Sequence, residues 1–304
     1  MKKIGVFFIV LSLMVLSACS MESGLIKEQP KKESLQDVKI GVSISTLNNP
    51  FFVSVKDGIV KEAKKKGMET VVVDAQDDTS KQISGIEDLI LKGVDVLVIN
   101  PTDSAAISSS VLSANEAGIP VITIDRSAED GEVATFIASD NVSGGEMAGT
   151  YIVEQLGEKA NVIELEGVSG ASATRERGKG FHNIADKQLN VVSSQTAEFD
   201  RTKGLTVMEN ILQGNKDIEA VFAHNDEMAL GAIEAIQAAG KDILVLGFDG
   251  TKDALDAVKE GKLDGTIAQQ PALIGEEAVN AAVKILKGDK VEENISVPLK
   301  LQTN

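Results

Sequence analysis

The sequence predicts an α/β protein with two doubly wound parallel sheets. After residue 38, short apolar runs rich in β-branched residues alternate with longer stretches of helical period. The runs are apolar throughout, as expected for parallel strands covered by helices on both faces. Ten strands are predicted, five on each side of about residue 140. Two sheets of five are favoured over one sheet of ten, because large twisted sheets tend to split.

The predicted elements follow one another regularly. In the first half, a helix over about residues 51–66 follows the first strand, and the strands are "VKIGVSIS", "TVVVDAQ", "VDVLVIN", "IPVITID" and "ATFIAS". The second half begins with a helix near residues 145–156, and its strands are "ANVIELEG", "NVVSSQT", "IEAVFAHN", "ILVLGFD" and "GTIAQ". A last helix over about residues 272–287 and a short "ISVPLKLQ" tail complete the chain.

The first residues predict export. "MKK" is a basic start, "IGVFFIVLSLMVL" is an apolar core, and "LSAC" follows, which together indicate a cleaved signal peptide over residues 1–18. "LSAC" resembles the lipobox of bacterial lipoproteins, so Cys19, the single cysteine, is expected to be lipidated. An ordinary signal peptide with an incidental cysteine is the alternative. Residues 19–37, polar after the cysteine, are expected to form a flexible tether that holds the protein at the outer face of the cytoplasmic membrane.

Charge and missing motifs disfavour other classes. The chain has 46 acidic and 30 basic residues, a net charge of −16, which disfavours nucleic-acid binding. It lacks a Walker-type loop, GxGxxG, GxSxG and clustered Cys or His. "GVSGAS" at residues 167–172 follows a strand but has the spacing of neither the dinucleotide-binding nor the P-loop signature. We therefore predict no enzyme activity, cofactor or metal. A sugar-sensing transcriptional regulator is also disfavoured, because a signal peptide stands where its helix-turn-helix would be.

Polar and aromatic residues gather where the predicted strands end, which is where open α/β sheets bind ligands. Phe51, Phe52, Phe199 and Phe248 lie in loops or at strand ends, in a chain with no Trp and one Tyr. Aromatic faces can stack on the C–H face of a sugar ring, and nearby Asp, Asn, Arg and Gln can bond its hydroxyls. The pattern indicates a sugar-binding cleft, although Asp and Asn at these positions could also cap the following helices.

The motifs "STLNNPFF", "INPTDS", "IPVITIDR", "IASDN", "ATRERGKGF", "FDRTKG", "HNDEMALGA", "GFDGT" and "TIAQQP" resemble those of the ribose-binding receptors of bacterial ABC importers, in the periplasmic-binding-protein type I family. The resemblance covers the chain after the tether. It implies two Rossmann-like domains joined by a hinge of three crossings near residues 139–140, 269–270 and 296–298. The N-terminal domain would comprise residues 38–139 with 270–297, and the C-terminal domain residues 140–269 with 298–304.

The resemblance also implies a ligand set, a partner and a mechanism. D-ribose would bind in the cleft of a monomer, the hinge would close, and the permease and ATPase subunits of an importer would receive the sugar. Another monosaccharide, such as allose or xylose, or a furanose-like signalling molecule is the alternative ligand. The implied ligand-binding residues are Asn49, Phe51, Phe52, Asp125, Arg126, Arg177, Phe199, Asn225, Phe248, Asp249 and Gln269, with Ser45 and Asn141 at the edge.

Simpler roles remain for several of these residues. Arg126 and Arg177 could be surface residues paired with acids, Asp249 could only turn the chain, and Phe52 could belong to the core. His224 departs from the family, which often has a neutral residue such as Gln there. It could make the site mildly pH-dependent or be a buried histidine with its hydrogen bonds satisfied.

Overall fold

The computed structural model describes residues 34–214 and 217–304. The predicted signal peptide, Cys19 and most of the predicted tether lie outside the described residues. The strands are β1 (Lys39–Ile44), β2 (Glu69–Asp74), β3 (Val96–Ile99), β4 (Val121–Ile124), β5 (Thr135–Ser139), β6 (Asn161–Glu166), β7 (Asn190–Thr196), β8 (Ala220–Ala223), β9 (Leu244–Asp249), β10 (Gly265–Ala268), β11 (Asn294–Val297) and β12 (Lys300–Thr303). The helices are α1 (Pro50–Lys65), α2 (Thr79–Leu91), α3 (Ser108–Glu116), α4 (Asn141–Leu156), α5 (Ser172–Gln188), α6 (Arg201–Gly214), α7 (Asp226–Ala238), α8 (Lys252–Lys259) and α9 (Pro271–Lys287).

The strands form two six-stranded sheets. The first has the order β11-β5-β4-β3-β1-β2, and the second has the order β12-β10-β9-β8-β6-β7. All pairings are parallel except that of β12 with β10. The predicted fold class of two doubly wound α/β sheets is confirmed.

The predicted count of five strands per sheet is wrong. The "ISVPLKLQ" tail supplies the two additional strands: β11 pairs with the edge strand β5, and β12 pairs with the edge strand β10. Exposed strand edges carry unpaired backbone groups, and an extended segment can satisfy them whatever its hydrophobic pattern. For this reason the apolar periodicity that reveals the other strands does not reveal these two.

The chain passes between the sheets three times. β5 is followed by α4, which packs on α5 against the second sheet, and β10 is followed by α9, which packs on α1 against the first. The third passage runs from β11 to β12 through Pro298 and Leu299. Each sheet is covered on both faces, the first by α1 and α9 opposite α2 and α3, the second by α4 and α5 opposite α6 and α7.

Glycines let the paired helices approach closely, and one pair of positions tests this. A Cβ at Gly180 in α5 would overlap the carbonyl oxygen of Val142 in α4, whereas a Cβ at Gly178 would lie at an ordinary 3.5 Å from its nearest atoms. We expect Gly180→Ala to lower the free energy of unfolding by about 1–3 kcal/mol, because α4 and α5 must separate. Gly178→Ala, in the same helix, should leave it unchanged or raise it by up to about 1 kcal/mol. Urea unfolding measures both, and equal effects would contradict the close-packing argument.

Every helix within residues 34–214 and 217–304 is too short or too polar to cross a membrane.

Candidate functional site

A cleft with about 230 Å³ of free space lies where the carboxyl ends of the two sheets face each other. This is the edge at which open α/β sheets bind ligands. Five lining residues follow strands of the first sheet and five end or follow strands of the second: Asn49, Phe51, Phe52, Asp125 and Arg126, then Ala173, Arg177, Phe199, Asn225 and Asp249.

The wall formed by the start of α1 carries an amide beside two aromatic rings. Asn49 caps the helix, and its Oδ1 accepts a hydrogen bond from the Phe51 backbone N–H at 2.9 Å. The capping bond uses the oxygen of the amide and leaves its NH₂ group to donate into the cleft. The rings of Phe51 and Phe52 meet edge to face, with centroids 5.2 Å apart, and both also belong to the core of the first sheet. Rings packed in this way form a fixed surface for a ligand.

Arg126 lies between the two walls. Its guanidinium carbon is 5.1 Å from the centroid of Phe52 and 5.2 Å from that of Phe199, so the cation stacks between rings from opposite sides. Nη1 donates to the carbonyl of Pro101 at 2.9 Å, and Nε lies 3.6 Å from Asp125 Oδ2. Nε is buried and has no hydrogen-bond partner among the described residues. Arg126 is therefore a buried cleft residue and not a surface ion pair.

Arg177 occupies the corresponding place on the other wall. Its Nε donates to Asn141 Oδ1 at 2.9 Å and its Nη1 donates to the carbonyl of His224 at 2.6 Å. The guanidinium lies 3.8 Å above the Phe248 ring, and Nη1 is 3.8 Å from Asp249 Oδ1. Contacts on several sides fix the orientation of this group before any ligand arrives.

The two carboxylates of the cleft accept few hydrogen bonds from the protein. Burial raises the pKa of Asp125 and raises that of Asp249 well above its usual range, although Arg126 and Arg177 oppose the shifts. Asp249 Oδ1 accepts a hydrogen bond from Gln269 Nε2 at 2.9 Å. Asp125 Oδ2 has a long contact with Asn100 Nδ2, at 3.5 Å. A ligand with several hydroxyl groups could supply the hydrogen-bond donors that these carboxylates require.

Three of the lining residues adopt backbone conformations that side chains rarely adopt. Asp125, Phe199 and Asp249 have φ values of +62°, +61° and +123°. Such conformations cost on the order of 1–3 kcal/mol each and concentrate at binding and catalytic sites. At these positions the chain departs from extended strand conformation, and the three side chains line the cleft.

Four of the predicted site residues do not line the cleft and lie behind residues that do. Asn141 accepts from Arg177, Phe248 lies under its guanidinium, and Gln269 bonds Asp249. Ser45 donates from its hydroxyl to Asn100 Oδ1 at 2.6 Å, and Asn100 in turn approaches Asp125.

The sequence interpretation missed Ala173, which lines the cleft, and the supporting contact of Asn100. Ala173 has no polar or aromatic group that could have indicated a role. Asn100 follows a strand, a position where the sequence also allows a helix cap, but it caps no helix here. Its amide instead links Ser45, directly after β1, to Ile124 at the end of β4.

Hydrogen bonds join the two rims of the cleft directly, apart from the three passages of the chain. They connect loops that follow β3 and β4 with the start of α5, so the two walls are held together in this structure. The bonds run from Ser104 N to Gly170 O at 2.9 Å, from Ser172 N to Ser104 Oγ at 3.1 Å, from Ser127 N to Ser172 Oγ at 3.0 Å, and from Arg175 Nη2 to Glu129 Oε1 at 2.7 Å.

The donor set suits an organic ligand. Among the described residues, His, Cys, Asp and Glu form no cluster that could hold a metal ion. Two guanidinium groups, two carboxylates, two amides and three aromatic rings instead surround a space for a small polar molecule.

Asp226 stabilises the loop that carries Asp249, and its ionisation gives a pH-dependent prediction. Its carboxylate accepts from Thr251 N at 2.7 Å, from Thr251 Oγ1 at 3.0 Å and from Thr266 Oγ1 at 2.7 Å. Burial raises its pKa to about 6. The folded state thus binds the proton of the Asp226 carboxyl more tightly than the unfolded state does. Protonated Asp226 therefore contributes stability that is fully present below about pH 4 and is lost as the pH rises through 6.

We expect Asp226→Asn to remove this loss, which amounts to on the order of 3 kcal/mol in the free energy of unfolding. Relative to wild type, the variant should gain stability as the pH rises from 4 to 7 in urea unfolding. Asp242→Asn, at an exposed position just before β9, is the control and should follow wild type. A constant difference between Asp226→Asn and wild type at every pH would contradict the prediction.

Comparison with known proteins identifies the family. The sequence model of the Periplasmic binding protein domain matches residues 40–290, and the chain belongs to this family. It is 63% identical over 303 residues to the ribose import binding protein RbsB of Bacillus subtilis (strain 168), covering 100% of this chain and 99% of that protein. The RbsB protein of Escherichia coli (strain K12) is 55% identical over 264 residues, covering 86% and 89%.

Solved structures agree with this assignment. An ABC transporter solute binding protein from Bacillus halodurans C-125 with bound myo-inositol superposes with a TM-score of 0.84 at 36% identity, covering 90% of this chain and 96% of that one. The predicted family is therefore confirmed, and the family is one of binding proteins.

Proposed function

We propose that this protein is an extracytoplasmic receptor that captures D-ribose in the cleft and delivers it to an ABC importer. The observation that carries the proposal is the composition of the cleft: each sheet contributes aromatic, amide, carboxylate and guanidinium groups to one small space. A sugar presents apolar C–H faces to rings and a rim of hydroxyls to polar groups, and this cleft offers both. The 63% identity to a ribose import binding protein supports the same ligand.

The proposed mechanism is closure of two domains about the three crossings, with the boundaries at residues 38–139 with 270–297 and 140–269 with 298–304. Only the closed state brings both walls onto the same hydroxyls, and this difference in affinity shifts the population towards closure. An analogue that lacks one hydroxyl would leave a buried group unpaired, at a cost of about 1–3 kcal/mol. The closed protein, as a monomer, would then present its rims to the permease, and the ATPase subunits would drive release.

Calorimetric titration tests the proposal. We expect one-to-one binding of D-ribose with a dissociation constant near 1 μM or tighter, about −8 kcal/mol or better. D-allose, D-xylose and D-galactose are the competing ligands. Tighter binding of one of these would retain the receptor and change its ligand, and a furanose-like signalling molecule would be tested next. No binding of any sugar to folded protein freed of co-purified ligand would contradict the proposal.

We also propose that lipidation of Cys19 anchors the protein to the outer face of the cytoplasmic membrane through a tether over residues 19–37. The support is the "LSAC" motif at the end of an apolar leader. We expect Cys19→Ser to release the protein from the membrane fraction without changing its affinity for D-ribose. Fractionation of cells and medium with immunoblotting measures the release, and the conservative Ser17→Thr is the control. A Cys19→Ser protein that stays with the membrane would contradict the lipid anchor.

A further inference from the structure

A buried carboxylate lies outside the cleft, in the middle of β6. Glu164 is completely buried, and its Oε1 accepts a hydrogen bond from His224 Nε2 at 3.0 Å. Its Oε2 accepts from Ser194 Oγ at 2.7 Å and from His182 Nε2 at 3.0 Å. An ionised carboxylate can only accept hydrogen bonds, so with Glu164 ionised both of these ring nitrogens carry hydrogen. A charged group is costly to bury, and nothing in the cleft itself requires it.

The surroundings of Glu164 keep it ionised. Burial alone would raise the pKa of Glu164, but the hydrogen bonds from His224 and Ser194 and the charge of His182 bring it below the usual range. His182 is partly exposed, and its Nδ1 contacts Asp186 Oδ1 at 2.7 Å while its Nε2 contacts Glu164. A histidine between two carboxylates is favoured as the doubly protonated cation. His182 therefore adds positive charge beside Glu164 from the surface side, in addition to the larger effect of the buried His224.

His224 connects this carboxylate to the cleft. Its ring is completely buried, and Nδ1 has no hydrogen-bond partner among the described residues, so Glu164 is the polar contact that fixes the ring. The backbone carbonyl of the same residue accepts from Arg177 Nη1 at 2.6 Å. The next residue, Asn225, lines the cleft. Two consecutive residues thus carry the anchored His224 ring, the His224 carbonyl that accepts from Arg177, and the Asn225 amide that lines the cleft.

We propose that Glu164 is a positioning residue for ligand binding: it holds the His224 ring and so fixes the peptide that orients Arg177 and presents Asn225. The inference rests on the proposed function, because Arg177 and Asn225 matter only if the cleft binds the sugar. Without the Glu164 contact, the His224 ring can rotate. The backbone carbonyl of His224 can then move out of hydrogen-bonding position for Arg177 Nη1. Arg177 would then keep its place in the fold and lose its fixed direction.

Substitutions at His224 separate positioning from general stability. His224→Gln retains an NH₂ group that can donate to Glu164, whereas His224→Leu fills the space without a donor. In calorimetric titration of the full chain with D-ribose, we expect His224→Leu and Glu164→Ala to raise the dissociation constant at least tenfold. His224→Gln should stay within about threefold of wild type. Glu219→Ala removes an exposed carboxylate at the opposite end of β8 and is the matched control.

A second measurement needs no sugar. Nitrogen-15 spectra of the ligand-free full chain report on the Arg177 Nε–H group, whose signal is assigned by its loss in Arg177→Lys. We expect this signal to shift or broaden in His224→Leu. In His224→Gln it should have its wild-type position. If Glu164→Ala does not fold, Glu164→Leu, which also removes the acceptor, takes its place in both measurements. Wild-type affinity with an unmoved Arg177 signal in His224→Leu would overturn the inference, as would equal losses in the Leu and Gln variants. Failure of wild type to bind D-ribose would instead overturn the proposed function, and the Arg177 signal would still decide the positioning.

Discussion

Replacing Arg177 by alanine is expected to raise the dissociation constant for D-ribose at least 100-fold. The guanidinium is buried and aligned by Asn141 and by the carbonyl of His224. Hydrogen bonds from a charged donor contribute about 1.5–3 kcal/mol each, and under the proposed function the substitution would remove donors that Arg177 offers to ligand hydroxyls. It also leaves Asp249 buried without the cation 3.8 Å away, which weakens the carboxylate as a hydrogen-bond acceptor for the sugar.

The same helix provides the control for this experiment. Lys179 is exposed two positions further along α5, so Lys179→Ala makes the same change in net charge away from the cleft. It should bind D-ribose as wild type does. Arg177→Lys keeps the charge but cannot reach both acceptors with a planar fork, and an intermediate loss is expected. Calorimetric titration ranks the three variants, and equal affinity of Arg177→Ala and Lys179→Ala would remove Arg177 from the site.

The sequence predicts the fold because most of its strands are buried on both faces. Runs such as "VDVLVIN" and "ILVLGFD" are apolar at nearly every position, and only a covered parallel strand needs this. β11 and β12 were not predicted as strands because they lie at sheet edges and contain exposed residues, such as Asn294 and Lys300. Their pairing depends on free backbone groups of β5 and β10, which leave no trace in a side-chain pattern.

The sequence predicts cleft residues correctly where a residue's position at the end of a strand is enough to bring it to the cleft. Asp125, Asn225 and Asp249 end or follow strands, so the topology brings them to one edge of the sheets. Which neighbours line the cleft and which support it depends on side-chain packing. Phe248 lies under Arg177, and Asn141 serves as its acceptor, because α4 and α5 pack closely enough to bring these groups together. The buried Glu164 contact of His224 likewise joins residues 60 positions apart.

Replacing Asp249 by alanine is expected to weaken D-ribose binding at least tenfold with little loss of stability. Asp249 holds its carboxylate in the cleft at a φ of +123°, with one bond from Gln269 and Arg177 nearby. Without ligand this carboxylate is poorly solvated, and for that reason burial raises its pKa. Removing it relieves the cost of burial in the empty protein but leaves ligand hydroxyls without an acceptor and Arg177 without its nearby negative charge in the complex, so the loss falls mainly on binding.

One further variant decides whether the charge or only the shape of Asp249 matters, and a second serves as the control. Asp249→Asn keeps the shape, retains an acceptor oxygen and tolerates a positive φ, so its loss of affinity should be smaller than that of the alanine variant. Asp242→Ala removes an exposed carboxylate just before the same strand begins and should bind as wild type does. Calorimetric titration with D-ribose gives the affinities, and thermal unfolding of the empty proteins gives the stabilities. Unchanged affinity of Asp249→Ala would mean that Asp249 only turns the chain from β9 into α8, and the role of acceptor on this wall would have to pass to another residue.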